Sequence, residues 1–182
     1  MNRYPNAAGG LRLMFIGQIL MIAGILLSLI PLVGSLLIVA GSAAELAGIY
    51  KAGADDENYR GALIFAALVL IVNLASGFLE AGLFRSLLEV AGEVLSLMVV
   101  FTVCNTTANL LHAIDREELS QRGRLVIKIY AACTAVSILC RVLGLIPVIN
   151  IAAALVAGIA GLVMLVGYVL YLLFLHGGSK AL

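Results

Sequence analysis

Hydrophobic and polar positions alternate along this chain as long uncharged runs divided by short charged ones. The uncharged runs cover Leu13–Ala44, Gly61–Leu79, Val94–Ile114, Ile129–Cys140 and Val142–Ser179. A helix needs roughly 20 apolar residues to cross the hydrocarbon core of a bilayer. The first and last runs are too long for one crossing, and each holds a similar interruption, Leu29-Ile30-Pro31-Leu32-Val33 and Leu145-Ile146-Pro147-Val148-Ile149. Proline lacks the backbone donor and turns the preceding residue away from helix, so both phrases read as tight turns between antiparallel helices. The pattern therefore predicts an all-α, polytopic membrane bundle of six transmembrane helices at about 11–29, 32–51, 61–79, 86–113, 124–143 and 148–175. They form three hairpins, about 11–51, 61–113 and 124–175, in a single transmembrane domain covering 1–182, with connections at about 52–60 and 114–123.

Composition sharpens this picture. Of 182 residues, 63% are hydrophobic and 12% charged, and the mean hydropathy is +1.16. A water-soluble domain is about 45–50% apolar, and one this small could not hide the excess in a core. A net charge of +1, no basic block and no tryptophan speak against nucleic acid as a partner and against a peripheral surface protein. Arg3, Arg12, Lys51, Arg60, Arg116, Arg122, Arg124, Lys128 and Lys180 fall on the side of the termini and longer connections, against Arg85 and Arg141 on the other. Positive charge collects in cytoplasmic loops, which predicts a multi-pass protein of the cytoplasmic membrane with both termini inside. The first apolar run far exceeds the roughly 7–15 residues of a cleaved signal's core. Cys104, Cys133 and Cys140 fall within spans without Cys-x-x-Cys spacing and read as packing residues.

The second helix of each hairpin opens on a related phrase: Ser35-Leu-Leu-Ile-Val-Ala-Gly41, Ser86-Leu-Leu-Glu-Val-Ala-Gly92 and Ala152-Ala-Ala-Leu-Val-Ala-Gly158. This suggests a parallel threefold repeat about the membrane normal, a device used by transporters. Membrane helices associate through small residues that let backbones approach, so Gly41, Gly48, Gly92, Gly158 and Gly161 are expected at helix contacts. Such faces would serve a homo-oligomer equally well.

Charge within the bilayer costs about 2.5–3.5 kcal/mol on insertion scales, so each intramembrane acid needs a partner or a job. Arg85, Glu89 and Glu93 recur every fourth residue and share one stripe of the fourth helix. With Glu80 and Arg141 they suggest an ion-pair cluster near the outer surface. Glu93 lies deeper and Glu45 nearer the cytoplasm, so Glu93, Glu45 and Glu89, with Asn73 and Gln18 as polar lining, form a candidate pathway or binding site for a small solute or cation. Asn105, Asn109 and His112 form a second polar face in the cytoplasmic half of the same helix. Asp55, Asp56, Glu57, Asp115, Glu117 and Glu118 read as solvated loop charge.

No His-Glu-x-x-His, zinc set, haem pair, nucleophile elbow or phosphate loop occurs, so neither an enzyme nor a bound cofactor or metal is expected. In size and helix number the chain is similar to the solute-binding components of energy-coupling vitamin transporters. It lacks their alanine-every-fourth-residue first helix and has no tryptophan to stack on a vitamin ring. Rotor-ring proteolipids share buried glutamate and small-residue hairpins but carry polar turns inside each hairpin, where this chain is nearly uncharged. Three functions stay open: a transporter or channel, a scaffold or regulator acting through its helix faces, and a solute-binding component energised by a separate partner.

Overall fold

The computed structural model describes residues 3–80, 82–143 and 150–182. Among them the chain forms six helices: α1 (Pro5–Leu26), α2 (Pro31–Ala52), α3 (Asn58–Gly77), α4 (Leu83–His112), α5 (Glu117–Leu143) and α6 (Asn150–Ala181). Each contains a stretch long and apolar enough to cross a membrane.

Local chemistry explains the boundaries. Pro5 and Pro31 stand in the first turns of α1 and α2, where the missing N–H costs nothing and the fixed φ suits a helix. The break at Pro31 is thus a turn over residues 27–30, as the sequence implies; the matching break at 145–149 lies outside the described residues. α1 begins at Pro5 rather than near residue 11 because its first turn is closed from outside. The Ala7 N–H donates to Asp55 Oδ2 at 2.7 Å and Asn6 Nδ2 donates to Asp55 Oδ1 at 2.8 Å. Asp55 is therefore a helix cap supplied by the α2–α3 connection and not merely solvated loop charge.

α4 stops where Asp115 takes a left-handed φ of 59°. The Arg116 N–H then turns back to the Leu111 carbonyl at 2.9 Å, satisfying a terminal acceptor. α5 starts at Glu117 rather than near residue 124. Two acids in its first turn complement the helix dipole, and Glu118 pairs with Arg122 one turn on. Charge ends a membrane crossing without ending a helix.

The helices close a ring in which each packs on its neighbours in sequence and α6 returns to α1. The tightest seam joins α1 to α2. Gly10, Gly17 and Gly24 recur every seventh residue, as do Gly34, Gly41 and Gly48, which keeps each set on one line of its helix. A Cβ built on Gly17 would stand 2.6 Å from the Gly41 carbonyl oxygen, and one on Gly24 2.8 Å from that of Gly34. Gly10 and Gly48 face each other in the same way. The seam uses a period of seven.

The three glycines of the repeated phrase do different things. Gly41 is buried against Gly17 and Met21, while Gly92 makes ordinary contact with Asn73 and Val72. Gly158 and Gly161 have no described atom within 4 Å of a built Cβ, so neither makes the helix contact expected of it. On α6 close approach falls instead at Gly167, against Ile129. On α5 it falls at Gly123, whose built Cβ would meet the Phe174 ring at 2.6 Å.

Burial is uneven along the bundle axis. Leu11, Met14, Ile49, Tyr59, Val103, Leu111, Val126, Phe174 and Leu175 are fully buried at the end carrying the termini and the 53–57 and 113–116 connections. Leu29, Leu36, Leu74, Phe78, Phe84 and Leu155 towards the opposite end are exposed. The bundle is closed at its base and more open at its top, where α1 and α2 still meet at Gly24 and Gly34, with an apolar outer surface of the kind a bilayer covers. At the base, the Tyr59 hydroxyl and Thr107 Oγ1 share a hydrogen bond of 2.7 Å between fully buried side chains. Tyr59→Phe is expected to lower stability by about 1 kcal/mol, read as a reduced unfolding midpoint in detergent; an unchanged midpoint would show that the bond contributes nothing net.

Candidate binding cavity

The more open top leaves two adjoining cavities inside the ring. The inner one, about 380 Å³, is walled by all six helices, with Gln18 from α1, Glu45 from α2, Asn73 from α3, Ser96 from α4, Tyr130 from α5 and Tyr168 from α6 among its lining. The outer one, about 460 Å³, lies between α3, α4, α5 and α6 and carries Glu89, Glu93, Ser137 and Arg141. Asn73, Ser96, Tyr130 and Met164 line both, so they form the shared wall.

Three polar side chains are linked in the inner cavity. The Tyr168 hydroxyl donates to Gln18 Oε1 at 2.5 Å, and Gln18 Nε2 donates to Glu45 Oε1 at 2.8 Å. Gln18 is 6% exposed, and its amide orientation lets one side chain accept from tyrosine and donate to the acid. Both hydrogen bonds run toward Glu45, whose Oε1 ends the chain as an acceptor. Its second oxygen has no partner among the described residues. Tyr171, 1% exposed, lines the same cavity, and its hydroxyl is likewise unpartnered.

The outer cavity is organised by a fork. Arg141 on α5 donates through Nη1 to Glu89 Oε2 at 2.9 Å and through Nη2 to Glu93 Oε1 at 2.5 Å. Arg85 binds the other oxygen of Glu89 at 3.0 Å, and Ser137 donates to Glu93 at 3.2 Å. Two acids one helical turn apart repel unless cations lie between them, and the planar guanidinium suits that place. The cluster balances two acids with two bases. Glu45 is the one acid of the two cavities with no cation bonded to it among the described residues.

The stripe of Arg85, Glu89 and Glu93 thus pairs as its spacing implies, with Arg141 joining it. Glu93 is not a lone central charge. Counting about 1.5 Å per residue, it lies roughly 21 Å along α4 from Thr107, towards the end opposite the buried base. Glu80 is exposed and makes no ion pair among the described residues, so the cluster forms without it. Gln18, Asn73 and Glu45 converge on the inner cavity.

The second polar face turns outward. Asn105 and Asn109 are exposed, and His112 Nδ1 meets Glu117 Oε2 at 2.6 Å. Tyr59 bonded to Thr107 sets this part of α4 level with Arg60, so these amides lie at the charged rim where water is near. Thr106 and Thr107 are the polar residues of this stretch that turn inward and are buried.

Tyr130, Tyr168 and Tyr171 were not singled out by spacing or charge. A signal was present: of six tyrosines, Tyr4, Tyr50 and Tyr59 fall at helix ends and these three fall within spans. Cys104, Cys133 and Cys140 are buried and free, with Cys133 against the outer cavity. Among the described residues no group of three or more His, Cys, Asp or Glu stands close enough to hold a metal ion. In comparisons with known proteins, no family model, no curated protein and no solved structure matches this chain.

Proposed function

We propose that this chain is a multi-pass protein of the cytoplasmic membrane, built of three antiparallel helix pairs with both termini inside, that binds a small solute between its helices. The solute enters from the more open, non-cytoplasmic end, passes the Arg141 fork, and reaches Glu45, Gln18 and Tyr168. The observation that carries this reading is that the two cavities adjoin, with Asn73, Ser96, Tyr130 and Met164 lining both. Pockets of about 300–1,000 Å³ with mostly apolar walls and a few convergent polar groups are the usual form of a small-molecule site. The positive charge of Arg60, Arg116, Arg122, Arg124 and Lys128 at the closed base supports the orientation.

Aqueous access is the test. With Cys104, Cys133 and Cys140 replaced by alanine, Ser96→Cys and Asn73→Cys in proteoliposomes are expected to react with a membrane-impermeant methanethiosulfonate from the non-cytoplasmic side. Val103→Cys, in the closed base, is expected to stay unlabelled. Protection of both cavity cysteines would overturn a solute pathway from that end.

A further inference from the structure

We infer that the inner cavity selects a small organic cation, an aromatic or aliphatic amine in its ammonium form, with Glu45 as counter-ion. This rests on the reading of the cavity as the binding site and adds the chemical class of its occupant. Two features point the same way. Among the described residues Glu45 offers one carboxylate oxygen without a partner, while the other is held by Gln18 at 2.8 Å, so the acceptor is oriented before a ligand arrives. Tyr130, Tyr168 and Tyr171 bring three aromatic rings to the same space, and aromatic faces attract cations, most strongly where water is excluded.

Charge balance settles the sign. The fork above neutralises its own two acids with Arg85 and Arg141, so among the described residues an anion finds no free cation in either cavity and would meet Glu45. A bare metal ion fits poorly. Calcium takes about 6–8 oxygen ligands and magnesium near-octahedral ones, against one free carboxylate oxygen and a few neutral groups. An organic cation instead uses the aliphatic walls of Leu46, Val69 and Val99 for its carbon frame.

The protein in nanodiscs, titrated with three probes of one shape, tests this: 2-phenylethylammonium, the neutral 2-phenylethanol and the anionic phenylacetate. Binding is read by calorimetry and as a ligand-dependent rise in unfolding temperature. The ammonium is expected to bind at least tenfold more tightly than the alcohol, and the anion not at all. Glu45→Gln should erase the preference for the ammonium. Equal binding of ammonium and alcohol, or tight binding that survives Glu45→Gln, overturns the cationic class but leaves the cavity as a binding site. No ammonium binding at millimolar concentration also overturns the class, and if Ser96→Cys is unreactive as well, the cavity reading falls with it.

Discussion

Gly41→Leu is expected to abolish the folded bundle, or at the least to lower its stability by about 3 kcal/mol or more. A Cβ at Gly41 would lie 2.6 Å from both the Gly17 carbonyl oxygen and Met21 Cγ, and 3.0 Å from the Met21 backbone nitrogen. Overpacking a core costs typically about 1–3 kcal/mol when side chains can yield. Here two of the obstacles are backbone, so α1 and α2 would have to part along their length. Lipid offers no hydrophobic drive to bring them back, since association in a bilayer rests on close packing. The check is the fraction of monodisperse protein after extraction and its unfolding midpoint, with Gly158→Leu as control. Gly158 has no described atom near its Cβ position, so that variant should behave as wild type. A stable Gly41→Leu protein would show that the α1–α2 seam does not hold the ring.

The second large effect is expected from Arg141→Gln. Removing the fork leaves Glu89 and Glu93 one turn apart on α4 with Arg85 alone to serve them. Were water to reach these side chains freely, the pairs would contribute under about 1 kcal/mol. The side chains are 29–42% exposed and face the cavity that the proposed pathway opens to water, but without Arg141 two acids stand one turn apart with a single cation between them. A lowered unfolding midpoint is therefore expected. Arg141→Gln combined with Glu93→Gln should recover most of the loss, because the second change removes the acid left stranded. If the double variant is no better than the single one, the destabilisation comes from lost α4–α5 packing and not from charge.

Much of the architecture was legible because membrane crossing imposes a length and an almost uncharged composition. Pro31 marked a turn by its chemistry alone, and Arg85, Glu89 and Glu93 declared one helix face by their spacing. What stayed hidden was partnership between distant segments. Nothing local tells that Gly17 meets Gly41 rather than lipid, although the seven-residue recurrence of Gly10, Gly17 and Gly24 was there to be counted. Gly158 misled because it shares Val-Ala-Gly with Gly41 and Gly92 but stands where the bundle has opened. The charge pattern puts the start of α5 near residue 124, too late, because charge marks the edge of a crossing and not the end of a helix. Glu45 was found from its depth, but Tyr168 and Tyr171 carry no charge and looked like any other apolar residue of α6.

The closing of the ring by α6 also sets an order of events during synthesis. Gly178 of α6 packs against Leu11 of α1 and Thr107 of α4, and Phe174 fills the space beside Gly123 of α5. Three earlier helices must therefore wait for the same late segment, while α1 and α2 can zip together as soon as both have left the ribosome. A nascent chain stalled before α6 would display Leu11, Thr107 and Gly123 to lipid along an unsealed edge.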